Sequence, residues 1–154
     1  MNRAVGVAGV GVLLLGLVGC AADPLVLADP GNAVCVLFDE ATATATIGVL
    51  HTEARADVEI TDVVPVDAEN LEVVGWYVAT APGDFIGSAQ GFDVPSGATR
   101  SYRADESGSI QVGFALEDRT RDGHTEAVRL EFDGGSLSAP TGIDVTLVPA
   151  GGSC

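Results

Sequence analysis

Residues 109–117 read SIQVGFALE, and their pattern decides the fold class. Apolar side chains occupy every second position, at Ile110, Val112, Phe114 and Leu116. Polar side chains alternate with them or flank them, at Ser109, Gln111 and Glu117. A period of two places these two sets on opposite faces of an extended chain. The segment therefore predicts a β-strand with one face in a hydrophobic core.

Seven further segments have the composition or alternation of short strands. They are residues 33–38, 42–50, 57–64, 71–79, 98–103, 125–132 and 142–148. Turn-forming Gly, Pro, Asp and Asn separate them, and no amphipathic helix intervenes to connect parallel strands. We therefore predict an all-β domain of about seven to eight strands, arranged as two antiparallel sheets packed face to face.

Two of these segments carry more specific expectations. In residues 57–64 the pattern places Val58, Ile60 and Val64 together on one face. Residues 71–79, LEVVGWYVA, are apolar on both faces, which predicts a central strand. With Trp76 in its core, the predicted domain resembles an immunoglobulin-like sandwich in the loose sense. The neighbouring strands lack the paired inter-sheet cysteines of true immunoglobulin domains.

The charge of the chain argues against several classes of partner. Its formal net charge is −15, from 22 acidic and 7 basic residues, and none of the basic residues is lysine. Nucleic-acid binding needs clustered Lys and Arg, so we expect none here. The same charge argues against binding anionic lipid headgroups through the domain surface. Cations, cationic peptides and basic proteins remain electrostatically favourable partners.

The first twenty residues have the design of an export signal. Arg3 supplies a positive charge, and residues 4–19 contain only Ala, Val, Gly and Leu. This run is too short to span a bilayer comfortably, because a spanning helix needs about 20 apolar residues. A positive start, a short apolar segment and small residues at its end are typical of a secretory signal peptide.

The end of this segment is more specific. Leu17-Val18-Gly19-Cys20 resembles the lipobox of bacterial lipoprotein precursors. The resemblance implies cleavage between Gly19 and Cys20 and a diacylglycerol attached to the Cys20 thiol. It also implies an exported protein anchored by its lipid to the outer face of the cell membrane, since two acyl chains hold durably where one holds only marginally. The alternative is an ordinary secretory signal with Cys20 near its cleavage point.

These expectations divide the chain into three parts. They are a signal peptide at residues 1–19, a lipidated tether at 20–32 and a β-sandwich domain at 33–154. The tether contains two Asp-Pro steps and a Gly-Asn, which favour turns and loops. In this layout the chain resembles small surface lipoproteins to which no function is assigned.

Two cysteines remain once Cys20 carries lipid. An exported protein lies in an oxidising compartment, so Cys35 and Cys154 can form a disulfide that clamps both ends of the domain. The alternative is two unpaired thiols, with Cys35 in the core and Cys154 on a frayed tail. Neither cysteine has a second cysteine or a histidine at zinc-ligand spacing.

The loop DRTRDGHTE, residues 118–126, resembles the start of a calcium-binding loop. Asp118 and Asp122 would be the metal ligands, because oxygens at alternate positions precede a glycine in such loops. The twelfth position is Arg129, where a bidentate Glu is required. The alternative is a hairpin connection with an Asp-Gly turn.

The remaining sequence predicts no catalytic chemistry. The two histidines, His51 and His124, are expected in exposed loops, and no nucleophile–base pair or phosphate-binding loop is visible. We therefore expect a non-enzymatic lipoprotein without a cofactor, which binds a protein, a peptide or an envelope polymer. The alternative is a lipoprotein that binds a small ligand or a cation such as calcium, and a hydrolase is the third class.

Overall fold

The computed structural model describes residues 23–27, 34–38, 41, 43–80, 87–139 and 145–148. These residues form eleven strands and no helix. The strands are β1 (Leu25–Leu27), β2 (Val34–Leu37), β3 (Thr44–Ala54), β4 (Val58–Val66), β5 (Leu71–Ala79), β6 (Ser88–Gln90), β7 (Ser101–Tyr102), β8 (Ser107–Leu116), β9 (Ala127–Phe132), β10 (Gly135–Ala139) and β11 (Val145–Val148). No helix long and apolar enough to cross a membrane occurs in this part of the chain.

Most of the strands form two antiparallel sheets. Sheet 1 has the order β1-β3-β8-β5, and β6 also pairs with β3. Sheet 2 has the order β10-β9-β4-β7. One hydrophobic cluster contains side chains of both sheets, among them Ile47, Val112 and Phe114 of sheet 1 and Ile60, Val63 and Leu130 of sheet 2. The predicted all-β class with two antiparallel sheets is confirmed, and the arrangement is consistent with a sandwich.

The described residues form more strands than the seven to eight predicted. β1, β6 and β7 contain only two or three residues. Such strands are too short to show the alternation from which strands are predicted. β10 has the sequence GSLSA, which is mostly small and polar, and it becomes a strand by forming a hairpin with β9.

The domain begins earlier in the chain than residue 33. β1 lies within the predicted tether, residues 20–32, and pairs with β3. Leu25 is only 1% exposed and belongs to the hydrophobic cluster. The sequence predicts a loop here because Asp-Pro steps lie on either side of Leu25–Leu27. The predicted boundary is wrong, since these three apolar residues are sufficient to complete the edge of sheet 1.

A third, smaller unit pairs two strands from opposite ends of the domain. β2 and β11 form a parallel pair, with Val34 opposite Val145 and Leu37 opposite Val148. The sequence predicts both strands but not their pairing, because strands so far apart in the chain share no turn that fixes their register.

A bulge in β4 changes which of its residues are buried. The register of β4 against β9 shifts between Ile60 and Asp62, so Thr61 is the extra residue. An extra residue reverses the alternation of faces beyond it. Val63 is therefore buried, whereas Val64 is only half-buried. For this reason the prediction that Val64 shares the face of Val58 and Ile60 is wrong.

The prediction that residues 71–79 form a central strand is also wrong. β5 is the last strand of sheet 1, whose central strands are β3 and β8. The outer face of this sheet is nevertheless covered, and β8 is buried on both faces from residue 108 to residue 116. The cover is provided by residues 88–99, which we call the strap.

The strap is fixed at both edges of sheet 1. At one edge Ser88–Gln90 pair with β3, and Thr46 Oγ1 donates a hydrogen bond to the Gly91 carbonyl at 2.6 Å. At the opposite edge the N–H of Val78 donates to the Thr99 carbonyl at 2.8 Å. The strap therefore crosses the outer face of the sheet from β3 to β5.

Phe92 is the side chain by which the strap packs on sheet 1. A Cβ atom on Gly113 would lie 2.5 Å from Cδ2 of Phe92, and one on Gly75 would lie 2.8 Å from its Cε1. Glycine at both positions leaves the space that the ring fills. The Tyr77 ring lies beside it, with 6.3 Å between the ring centroids. The strap thus covers Gly75 and Tyr77 on the outer face of β5, whereas Val74, the extra residue of a bulge, is exposed.

Trp76 lies at the margin of the core because β5 is an edge strand. Its side chain is partly buried and packs against the hydrophobic cluster. The guanidinium carbon of Arg100 lies 4.4 Å from the centroid of the indole, a cation–π contact. The indole Nε1 is buried and has no hydrogen-bond acceptor among the described residues. Trp76 therefore lies at the margin of the core and does not fill it as predicted, and Arg100 covers one side of the indole.

Candidate functional site

Gly19 and Cys20, the predicted cleavage and lipid-attachment residues, lie outside the described residues. The nearest strand is β1, which starts at Leu25, five positions after Cys20 (20 to 25). A lipid on Cys20 would therefore be joined to the edge of sheet 1 by only a few residues. The lipid anchor stays a prediction, and the position of β1 indicates how closely such an anchor would hold the domain.

Cys35 lies on β2 and is disulfide-bonded. Cys20 and Cys154 both lie outside the described residues, so the predicted pairing of Cys35 with Cys154 stays a prediction. The parallel pair of β2 and β11 supports it, because Thr146 lies opposite Cys35 and Cys154 follows eight positions later (146 to 154). The alternative of a free thiol at Cys35 does not agree with its disulfide.

The predicted calcium loop, residues 118–126, is organised around the side chain of Asn70. The Nδ2 group of Asn70 donates hydrogen bonds to the carbonyl oxygens of Asp118, Arg121 and Asp122 at 2.9, 3.0 and 3.2 Å. Its Oδ1 accepts from the N–H of Asp118 at 2.6 Å. Asn70 has a φ of 54°, a left-handed conformation that Asn adopts more readily than most residues. The side-chain amide of Asn70 thus hydrogen-bonds the backbone carbonyl oxygens that a calcium ion in this loop could use as ligands.

The carboxylate of Asp118 is also engaged within the loop. Its Oδ1 accepts hydrogen bonds from the N–H of Thr120 at 3.0 Å and from the Thr120 hydroxyl at 2.7 Å. The backbone hydrogen bond from Thr120 is the main reason that the pKa of Asp118 is lowered, and Arg121 adds a weaker attraction at 3.6 Å. This is the geometry of an Asp that initiates a turn, which favours the hairpin alternative.

Asp118 and Asp122 do not belong to a metal-binding group within the described part of the chain. No cluster of three or more His, Cys, Asp or Glu side chains suited to a metal ion occurs there. The calcium site therefore stays a prediction, which a calorimetric titration with calcium would test. No sequence pattern points to Asn70, because it lies on a different turn, 48 positions before Asp118.

His51 does not lie in a loop as expected, whereas His124 lies in the loop between β8 and β9. His51 is within β3, opposite Ser109 of β8, and not in a loop. His124 forms an isolated bridge with Glu69, in which the backbone N–H of each residue donates to the carbonyl of the other at 2.8 and 2.9 Å. His51 lies in a strand because β3 extends to Ala54, and His124 lies in the loop that Asn70 organises.

A cavity of about 350 Å³ lies between the end of the strap and β5. Tyr77 and Gln111 contribute side chains from sheet 1, and residues 95–99 close the other side. Gln111 is 1% exposed, and its Nε2 donates to Ser109 Oγ at 2.8 Å. All of the lining residues within the described part are uncharged. Its volume is at the lower end of the range for small-molecule sites, and the alternative of small-ligand binding stays a prediction.

Tyr102 of β7 is a buried polar residue. Its side chain is 1% exposed, and Thr52 Oγ1 donates a hydrogen bond to its hydroxyl. Burial raises the pKa of Tyr102 to about 12, mainly because the phenolate would lose its hydration. The hydrogen bond from Thr52 lowers the pKa in part, and the negative charge of Glu106 raises it.

This buried phenol predicts a loss of stability in alkali. An unfolded tyrosine ionises near pH 10 and Tyr102 near 12, so stability is complete below pH 10 and falls as the pH rises to 12. The expected loss is about 2–3 kcal/mol, measured as the free energy of unfolding in urea at pH 8 and pH 12. The absence of lysine removes another group that would titrate in this window. Tyr102→Phe should abolish most of the loss, and an equal loss in that variant would contradict the assignment.

β10 forms an edge of sheet 2. β9 and β10 are joined by a two-residue turn, so Phe132 and Gly135 form the closing pair of the hairpin. Beyond this pair, residue pairs that hydrogen-bond to each other alternate with pairs that do not. Ser136 and Ser138 belong to the pairs that do not, so their backbone N–H and C=O groups point away from β9. No strand among the described residues pairs with this outer edge.

The face of sheet 2 next to this edge is acidic. Asp62 of β4 and Glu131 of β9 lie directly opposite each other, and Glu59 is exposed on the same side. The cation beside them is Arg129, whose Nε lies 3.2 Å from Glu131 Oε1. We call Glu59, Asp62 and Glu131 the acidic face. Like charges in directly opposite positions are destabilising, and the ion pair of Arg129 with Glu131 offsets part of this repulsion.

Comparison with known proteins gives no family for this chain. No protein-family model matches it, and no curated protein or solved structure matches it either. The strap, Asn70 and the β10 edge were all missed by sequence reasoning. The only signal of the strap in the sequence is the pair of glycines at Gly75 and Gly113, in strands that are otherwise apolar.

Proposed function

We propose that this protein is a lipid-anchored interaction module on the outer face of the cell membrane, where it binds a protein or peptide. The single observation that carries the binding role is the open edge of β10, with the backbone of Ser136 and Ser138 directed outward. Exposed strand edges are templates for pairing with another chain. β10 carries no charged residue and no proline of the kind that proteins use to block such pairing.

The anchor is supported by the sequence and by the start of the fold. The lipobox-like Leu17-Val18-Gly19-Cys20 ends a short apolar segment that is preceded by Arg3. β1 belongs to sheet 1 and begins at Leu25, so the domain starts very near the proposed lipid. Such an arrangement confines the module to a thin layer at the membrane, which raises its effective concentration for partners held at the same surface.

Replacing Cys20 by alanine tests the anchor. In cells supplied with a radioactive fatty acid, we expect the natural protein to be labelled and to sediment with membranes. The Cys20→Ala variant should lose the label completely and leave the membrane fraction, since the residue that accepts the acyl chains is gone. Cys35→Ser is the matched control, because it removes a different cysteine and should keep the label. A labelled, membrane-bound Cys20→Ala protein would contradict the proposal.

A further inference from the structure

We infer that the β10 edge binds an extended peptide segment in which basic and apolar residues alternate, taken up as an additional strand of sheet 2. The inference deepens the proposed binding role and rests on the same edge. It identifies the chemical class of the partner from three features of the described residues: the outward backbone groups of β10, the side chains of β10 and the acidic face beside them.

The backbone supplies the general affinity. Ser136 and Ser138 each present one N–H donor and one C=O acceptor to the outer edge. A strand laid along β10 would therefore gain up to four main-chain hydrogen bonds without any change in sheet 2. These bonds do not depend on the partner's sequence, so selectivity must come from the side chains.

The inner face of β10 selects apolar side chains. Leu137 points inward, opposite Leu130, and is partly buried against the hydrophobic cluster. A strand added beside β10 would direct every second side chain to the inner face of sheet 2, and one of these would lie next to Leu137 at the rim of this cluster. An apolar residue there would cover Leu137 and extend the core, whereas a charged one would lose part of its hydration.

The outer face selects basic side chains. Ser136 lies opposite Glu131, and serine is too short to screen that carboxylate from a neighbouring strand. An added strand would lie about 5 Å from β10 and about 10 Å from β9. A Lys or Arg side chain on it can extend over Ser136 towards Glu131, whereas Asp62 lies one strand further away, on β4. There it would share the Glu131 carboxylate with Arg129, which lies opposite Ser138, and so offset more of the repulsion between Glu131 and Asp62.

Charge also decides against a second copy of this chain as the occupant. Two molecules paired through β10 would bring together two proteins that each have a formal net charge of −15. Their acidic faces would also lie side by side across the new pair of strands. Like charges brought together in this way oppose association. The complementary partner is therefore a cationic one.

The test uses the full protein in a neutral detergent and a fluorescent six-residue peptide of alternating Lys and Val. We expect saturable binding, measured by fluorescence anisotropy, and none for the matched Glu–Val peptide. Ser138→Pro removes an outward N–H and places a ring on the edge without removing a bond to β9. It should weaken Lys–Val binding at least tenfold, although it leaves the charge of the protein unchanged. Ser138→Ala keeps the backbone and should bind within twofold of the natural protein.

A second variant tests the acidic face. Glu131→Gln should weaken Lys–Val binding by about three- to tenfold and reduce its dependence on salt, as expected when one ion pair is lost. Equal binding by Ser138→Pro and the natural protein would overturn the inference, because attraction to the overall negative charge would then explain it. Binding of neither peptide, or dimers that Ser138→Pro disrupts, would also overturn it. None of these outcomes bears on fatty-acid labelling of Cys20, so the lipid anchor is tested independently of peptide binding.

Discussion

Replacing Gly113 by alanine is expected to destabilise the protein by about 3 kcal/mol. The new methyl group would lie 2.5 Å from Cδ2 of Phe92, so the ring must leave its place on sheet 1 or the strand must shift. In either case the close packing of Phe92 on Gly113, which holds the strap on sheet 1, is lost. Denaturation in urea, followed by tryptophan fluorescence, measures the loss, because Trp76 is the only tryptophan.

A double-mutant cycle separates this clash from a general effect of alanine in a strand. In the Phe92→Ala background the space above Gly113 is empty, and Gly113→Ala should become neutral or stabilising by up to about 1 kcal/mol. Gly135→Ala is the matched control, because its new Cβ would lie 3.5 Å from Phe132, an ordinary contact. An equal cost of Gly113→Ala in both backgrounds would show that Phe92 does not occupy this position.

Reduction of the disulfide is expected to cost about 4–5 kcal/mol, the loop-closure value for a bridge between Cys35 and Cys154 that closes about 120 residues. The free energy of unfolding with and without a reductant measures this cost. Cys154→Ser should show the same loss without reductant and no further loss with it. If Cys154→Ser keeps the full free energy of unfolding and still loses stability when reductant is added, then Cys35 pairs with another cysteine.

The parts of the fold that could be predicted from the sequence are those whose side chains alternate over many residues. In β8 the inward positions Ile110, Val112 and Phe114 are fully buried, as the pattern predicts. In β9 the alternation of Val128 and Leu130 holds equally well. Both strands lie in the middle of their sheets, where the face towards the core dictates an apolar residue at every second position, although the other face of β8 is also buried.

The remaining features depend on contacts between distant segments, which leave no local pattern. The bulge at Thr61 is one extra residue, and it moves burial from Val64 to Val63 without any change in composition. The strap covers Gly75 and Tyr77 on the outer face of β5, so these residues imitate those of a central strand. Asn70 organises a loop 48 positions away through hydrogen bonds that no spacing rule describes.

The candidate binding site was missed for a related physical reason. An open strand edge is made of backbone groups, which every residue carries, and its position depends on the order of strands in the sheet. Gly135–Ala139 contains nothing but small residues and one leucine, so its sequence resembles a loop. The proposed partner class agrees with the charge of the chain, because a net charge of −15 favours cationic peptides.

The intact mass of the protein extracted from cell membranes tests the central claim most directly, namely that this is a lipid-anchored domain. We predict a chain that begins at Cys20, carries a diacylglycerol on that thiol and contains one disulfide, between Cys35 and Cys154. Fragmentation of the first peptide places the lipid on its residue. A chain that begins at another residue, or in which Cys20 is a free thiol or is bonded to Cys35, would contradict the account.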